Sequence, residues 1–210
     1  MSQKIAKNIT TVIFDLGGVL FDINYAHTQQ AFIDLGIKDF QSLYSQQKQA
    51  GIFDEFEKGN ISPAEFRRQI KEKLPAGTAD ASIDKAWNAL LIGVPSHKVE
   101  LLKQVKKKYR IFLLSNTNEI HLTEVLSMMA PLDNNKGISH LFEKNYYSCR
   151  MGMRKPDTEI YEHVCFENGL IAANTLFIDD TFHNLSGAEK AGLNVLHCTP
   201  TVKLEEYFRS

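Results

Sequence analysis

The chain has 210 residues, enough for one buried core with a modest insertion, because domains usually run ~100 to 200 residues. Its 24 Lys and Arg balance 25 Asp and Glu for a net charge of -1, which excludes a global field steering it toward nucleic acid or an anionic membrane. The three cysteines, Cys149, Cys165 and Cys198, lie far apart without a CxxC pair or zinc-ligand spacing, so a disulfide scaffold and a zinc ribbon are excluded and a reducing compartment, the cytoplasm, is expected.

The first apolar stretch is interrupted by Asp15 and by glycines, far short of the ~20 apolar residues that span a bilayer. It predicts a short buried strand at residues 11–14 running into Asp15 and Gly17-Gly18. From residue 21 to 91 the pattern changes: Gln, Lys and Glu are frequent, and Phe32, Leu35, Phe53, Phe56, Phe66 and Ile70 recur at helical spacing. This segment reads as an inserted helical cap, residues 21–91, between the two parts of an α/β core, residues 1–20 and 92–210. Within it Ser62-Pro63-Ala64-Glu65 is a capping box with proline at the first helical position, so a helix starts there after a Gly59-Asn60 turn. A helix over 96–109, strands at 110–114, 175–178 and 194–197, and a helix over 184–191 stopped by Gly192 complete the pattern. Pro156 opens a further helical pattern through Ile160 and Val164. Continuous apolar runs of this kind are strands buried on both faces of a parallel sheet. Alternation with helices predicts a doubly wound α/β fold, whose ligands bind at the carboxyl ends of the strands.

The polar residues stand at those ends. Asp15 is followed by Leu16-Gly17-Gly18, a turn whose backbone amides can face an anion. Ser115 ends the second strand before Asn116-Thr117-Asn118, a hydroxyl and amides suited to phosphate oxygens; alone, the same run also reads as a helix cap. Lys155, in Gly152-Met153-Arg154-Lys155-Pro156-Asp157, offers an ammonium that can neutralise a carboxylate and an incoming phosphate. Asp179-Asp180 closes the set. Two adjacent carboxylates at the end of an apolar strand are costly unless a cation balances them, and magnesium, with its hard oxygen ligands, suits them.

In order and spacing, FDLGGVL, LLSNTN, GMRKPD and FIDDTFHN resemble the four motifs of the haloacid dehalogenase superfamily, over nearly the whole chain. The resemblance implies a Rossmann-like core with a helical cap inserted after the first motif. It implies Asp15 as nucleophile, Ser115 with Asn116 and Gly18 around the phosphoryl group, Lys155 stabilising it, and Mg²⁺ held by Asp15, Asp179, Asp180 and the Gly17 carbonyl. FDLGGVLFDI, GIFDEFEKGNIS and LLSNTNEIH further resemble the branch of small bacterial phosphatases that includes α-glucose-1-phosphate phosphatase and epoxide hydrolase N-terminal domains. The implied activity is a magnesium-dependent phosphatase acting on a small soluble phosphomonoester, a sugar phosphate and above all a sugar 1-phosphate, through a phosphorylated Asp15. One departure matters: many such phosphatases carry a second Asp two residues after the nucleophile as general acid, and here Gly17 stands there. General acid help is worth roughly a hundred-fold to ten-thousand-fold, so esters of good leaving groups, such as anomeric phosphates, are favoured; solvent, a substrate hydroxyl, His27 or Glu57 is the candidate replacement. Phe53, Glu57 and Lys58, before the Gly59 turn, are the expected specificity residues. The rival readings are a non-catalytic binding protein that kept the fold and a haloacid dehalogenase, which needs no metal and lacks the acidic pair. A small-molecule ester is the expected partner, without nucleic acid or membrane, for a monomer or homodimer.

Overall fold

Residues Thr11, Val12, Ile13 and Phe14 are all buried because they form the central strand of a parallel sheet, with side chains alternating between two covered faces. In this computed structural model, residues 5–38, 40 and 51–209 are described. The strands are β1 (Thr11–Phe14), β2 (Asp22–Ile23), β3 (Leu91–Gly93), β4 (Arg110–Ser115), β5 (Lys144–Tyr147), β6 (Thr175–Asp179) and β7 (Asn194–His197). Five of them form one sheet in the order β5-β4-β1-β6-β7, every neighbouring pair parallel. Val12, Phe14, Ile111, Leu113 and Ile178 face a core that includes Val99 and Leu102; Ile13, Phe112, Leu114 and Phe177 face the other, with Ile160, Val164 and Leu185. The covering helices are α5 (Ser96–Val105), α6 (Glu119–Met129), α7 (Thr158–Glu167) and α8 (Phe182–Lys190).

Three points differ from the expectation. The strand at 194–197 is not buried on both faces: it lies at the sheet edge, and of its residues Leu196 alone is buried. The opposite edge strand, β5, was missed because Lys144-Asn145-Tyr146-Tyr147 contains no apolar run; an edge strand meets solvent and needs none. Pro156 also precedes its helix rather than opening it, since α7 begins at Thr158 with Asp157 at the cap position.

Between β2 and β3, which pair as an antiparallel ribbon, lie helices α1 (Tyr25–Leu35), α2 (Ile52–Glu57), α3 (Pro63–Lys71) and α4 (Asp80–Asn88). Ser62 Oγ accepts the Glu65 N–H at 3.2 Å, as the capping box requires. The Glu65 carboxylate instead binds Arg68 and Gln69, so half of the reciprocal box is made. The helices close on Phe32, Phe40, Phe53, Phe56, Phe66 and Trp87, together with Ile120 from α6. Burying each such ring is worth roughly 2 kcal/mol. Their packing is tight: Phe56 stacks on Phe66 with centroids 4.4 Å apart and Phe53 on Trp87 at 5.4 Å.

Trp87 ties this cluster to the sheet layer. Its Nε1–H donates to Asn118 Oδ1 at 3.3 Å, and its ring stacks on His121 at 4.6 Å. At the other end of the contact, Ser148 Oγ–H donates to the Glu57 carbonyl at 2.7 Å. Gly59 belongs to the same seam: its φ is +73°, and a Cβ there would lie 2.1 Å from the Cys149 carbonyl oxygen. Gly59→Ala is therefore expected to cost about 2 kcal/mol or more, a fall in melting temperature of several degrees for a chain of this size. A melting curve coincident with wild type would show that the seam yields freely.

Candidate active site

The strand order reverses direction at β1, and the crevice at the carboxyl ends of the strands beside such a switch point is where open α/β sheets bind ligands. Asp15 follows β1, Ser115 ends β4 and Asp179 ends β6. Parallel pairing brings these ends level, Phe14 lying beside Leu113 and Ile178. Lys155 enters from the segment between β5 and α7. Its Nζ donates to Asp15 Oδ1 and to Asp179 Oδ2, both at 2.6 Å, and it is 1 % exposed.

Neighbouring groups hold this arrangement. Asn116 accepts the Lys155 N–H and donates to the Lys155 carbonyl, each at 2.9 Å. Asp179 takes the Thr181 N–H at 2.8 Å, and its two oxygens take the Asn184 amide at 3.1 Å. Asp180 lies beside Gly18, where φ is +75° and a Cβ would stand 2.3 Å from Asp180 Oδ2. Gly18 is thus required by the close approach of a carboxylate as well as by its backbone conformation.

The electrostatics call for a cation. Burial pushes the Asp15 carboxyl up to about 8; Lys155 opposes the rise, and Asp179 and Asp180 add to it. Lys155 itself is held above its ordinary value: burial works against its charge, but Asp15 and Asp179 outweigh it. Ligand oxygens of Asp15, Asp179 and Asp180 lie within 4.8 Å of one another, and Lys155 can offset the charge of one carboxylate. A hard divalent cation fits this oxygen set, and magnesium is such an ion.

A cavity of 730 Å³ opens from these groups. Asp15, Gly17, Ser115, Asn116, Lys155 and Asp180 form its floor, while Tyr25, Glu57, Leu90 and Leu91 approach from the inserted segment. His121, Val125, Arg154, His183 and His197 complete the wall. Asp179 lies beneath the floor, 0 % exposed.

Several expected residues take other parts. The Gly18 N–H donates to the Phe21 carbonyl at 2.9 Å, which spends it within the turn instead of on a phosphate. The Asn116 side chain is likewise spent on the Lys155 backbone. Phe53 is 3 % exposed and sits in the aromatic core, away from the cavity wall. Lys58 pairs with Asp54 at 3.0 Å and does not border the cavity either. Of the three specificity candidates Glu57 alone borders it, because each helical step turns the side chain by about 100° and α2 presents Phe53, Phe56 and Glu57 inward. His27 is exposed, its ring 3.1 Å from the Asn24 amide, and lies outside the wall.

Arg154 and His121 border the cavity and were not foreseen. Arg154 binds Asp54 at 2.5 Å and lies 2.9 Å from Glu57 Oε2; its place next to Lys155 in the third motif was the available signal. His121 has no signal in sequence, since a histidine on a helix face is usually just part of a surface.

A family model for haloacid dehalogenase-like hydrolases matches residues 9–192. The chain is 31% identical over 184 residues to D-ribitol-5-phosphate phosphatase of Bacteroides thetaiotaomicron, covering 88% of this chain and 89% of that one. It is 28% identical over 193 residues to a sesquiterpene phosphatase of Aspergillus oryzae, covering 90% of each. Among solved structures, an Asp-to-Ala variant of a haloacid dehalogenase family enzyme of B. thetaiotaomicron, crystallised with magnesium and inorganic phosphate, superposes with a TM-score of 0.91 at 34% identity, over 96% of this chain and 100% of that one.

The raised Asp15 carboxyl gives a prediction with a definite sign. An unfolded aspartate ionises near 4, so without a cation this group costs the folded state more and more as pH rises from about 4 to about 8. In EDTA, Asp15→Asn is expected to melt above wild type by a margin that widens across that range, and MgCl₂ should stabilise wild type more than the variant. Thermal melts at several pH values check this; a variant that melts lower throughout would show that the carboxylate cluster is not under repulsion.

Proposed function

The chain belongs to the haloacid dehalogenase-like hydrolases, and from that premise we propose that it is a magnesium-dependent phosphatase that transfers the phosphoryl group of a small phosphomonoester to Asp15 and then to water. The observation that carries this reading is the buried Lys155 ammonium, 2.6 Å from Asp15 on one side and from Asp179 on the other, at the floor of a cavity with room for a small ester. Asp15, Asp179 and Asp180 would hold magnesium, with Gly17 bordering the same cavity, and the ion would supply a Lewis acid that offsets charge on the phosphoryl oxygens.

The chain's own groups do the rest. Lys155 fixes the Asp15 carboxylate by its hydrogen bond to Oδ1, leaving the other oxygen to attack phosphorus in line with the departing alcohol. The new O–P bond forms as the ester P–O bond breaks, and the leaving oxygen takes a proton from solvent water. Water then attacks the aspartyl phosphate, releasing inorganic phosphate and restoring the carboxylate. Ser115 stands at the cavity floor where its hydroxyl can donate to a phosphoryl oxygen. Positioning and fixed charge carry most of the rate in such a reaction.

A sugar or polyol phosphate is the class favoured by the relative named for D-ribitol 5-phosphate. Gly17 supplies no carboxyl to protonate a leaving alcohol, so esters with better leaving groups, sugar 1-phosphates among them, should react faster than simple alkyl phosphates. The acidic pair Asp179-Asp180 weighs against a metal-independent dehalogenase. The three cysteines are free thiols, two of them buried, as suits the reducing cytoplasm.

Phosphate release from sugar phosphates, nucleotides and p-nitrophenyl phosphate is expected to require Mg²⁺ and to fall about a thousand-fold or more in Asp15→Asn. Equal release by the variant, or none by wild type on any ester, would replace the enzyme reading with that of a non-catalytic protein.

A further inference from the structure

A large apolar side chain left in water is informative when it stands at a binding cavity. Among the described residues Ile92, Phe166, Ile171 and Phe182 are the exposed large apolar side chains, and of these Phe182 alone borders the cavity that holds Asp15.

Its position follows from the helix. Phe182 is the first residue of α8, three positions before Leu185 and therefore on the same side of the helix. Leu185 is buried against the sheet with Ile13 and Phe177. Only Asp180 and Thr181 separate Phe182 from the end of β6, so its ring stands at the strand ends beside the crevice rather than over the sheet. There it meets His197, the last residue of β7, with ring centroids 6.1 Å apart and planes at 59°. His197 is itself fixed: its Nε2 lies 2.9 Å from the Asp180 carbonyl oxygen, which can only accept, so Nε2 carries the hydrogen. This tilted contact steadies the phenyl ring without covering it, and Phe182 remains 69% exposed.

The cavity is larger than the chemistry at its floor requires. A phosphoryl group at Asp15 fills a small part of 730 Å³, a volume within the roughly 300–1,000 Å³ of sites that enclose whole drug-sized ligands. The leaving group has room to extend from the floor to the rim, where Phe182, His183 and His197 stand. A rigid ring presents its whole face to an aromatic side chain at once, whereas an open chain of the same carbon count must give up internal rotations to do so. We propose that Phe182, steadied by His197, is the platform on which a ring of the leaving group lies, so that it is a specificity-determining residue favouring ring-bearing phosphate esters over open-chain ones. This inference rests on the phosphatase reading and adds to it the shape of the leaving group.

The test uses pairs matched in carbon count and in the primary alcohol that leaves: glucose 6-phosphate against glucitol 6-phosphate, and benzyl phosphate against n-heptyl phosphate. With Mg²⁺, wild type is expected to favour the ring member of at least one pair by about ten-fold in kcat/KM, through KM, since stacking on an aromatic side chain is worth about that factor when the side chain is cut to alanine. A preference in the first pair alone identifies a sugar ring as the group that lies on Phe182, and in the second pair alone an aromatic one. Phe182→Ala should bring the ratio to within about three-fold of unity, and Phe182→Tyr, which keeps the ring, should hold it. Both variants are expected to melt within about two degrees of wild type, because an exposed ring contributes little to folding. The ratio is independent of the fraction of active enzyme, so it reports even from a poorly folded preparation. Wild-type ratios within about three-fold of unity in both pairs, or a preference that Phe182→Ala lowers by less than about three-fold, overturn the inference and leave the phosphatase standing. Release from none of the four esters also overturns the inference; release from no ester at all, p-nitrophenyl phosphate included, overturns the phosphatase reading with it.

Discussion

The Lys155 ammonium, buried between Asp15 and Asp179, is the contact on which the rest of the site depends. A charge removed from water is tolerated when partners of opposite sign and good geometry surround it, and here two carboxylates stand 2.6 Å away. The same contact orients Asp15 and joins the ends of β1 and β6 to the loop before α7. Asn116 extends it to the end of β4 by binding both sides of the Lys155 peptide. Thus one ion triad fixes segments that lie 140 residues apart in the chain.

That triad is incomplete by itself. Asp180 brings a third carboxylate to within 4.8 Å of the other two, and burial, with Asp179 and Asp180 adding to it against Lys155, raises the Asp15 carboxyl to about 8. The site therefore has a built-in demand for a cation and, once one is bound, for a phosphate to share it. Stability and function pull in opposite directions at this point, as active sites commonly show.

The inserted helices meet this centre along a seam rather than a flexible linker alone. Trp87 stacks on His121 and binds the cap residue of α6; Arg154, next to Lys155, binds Asp54 and faces Glu57 across the same seam. The insert thus reaches to within one residue of Lys155 along the chain. Ile120 of α6 even enters the aromatic core of the insert, so the boundary between the two parts runs through shared packing.

The sequence by itself determined the parallel sheet, the insertion and the four charged landmarks. Buried strands leave long apolar runs, and runs that stop at Asp15, Ser115 and Asp179 mark carboxyl ends without any knowledge of the third dimension. It left β5 invisible, because an edge strand is under no pressure to be apolar. Tertiary structure alone decided which residues of the insert reach the cavity. Phe53, Glu57 and Lys58 are near neighbours in sequence, yet helical rotation sends the first into the core, the second to the cavity and the third to Asp54. It also decided the place of Asn116, which braces Lys155, and of His121, whose Nδ1 lies 2.8 Å from Asn88, 33 positions away. Periodicity records which way a side chain faces within its own element; what lies opposite it depends on contacts between distant segments, and local sequence carries no trace of these.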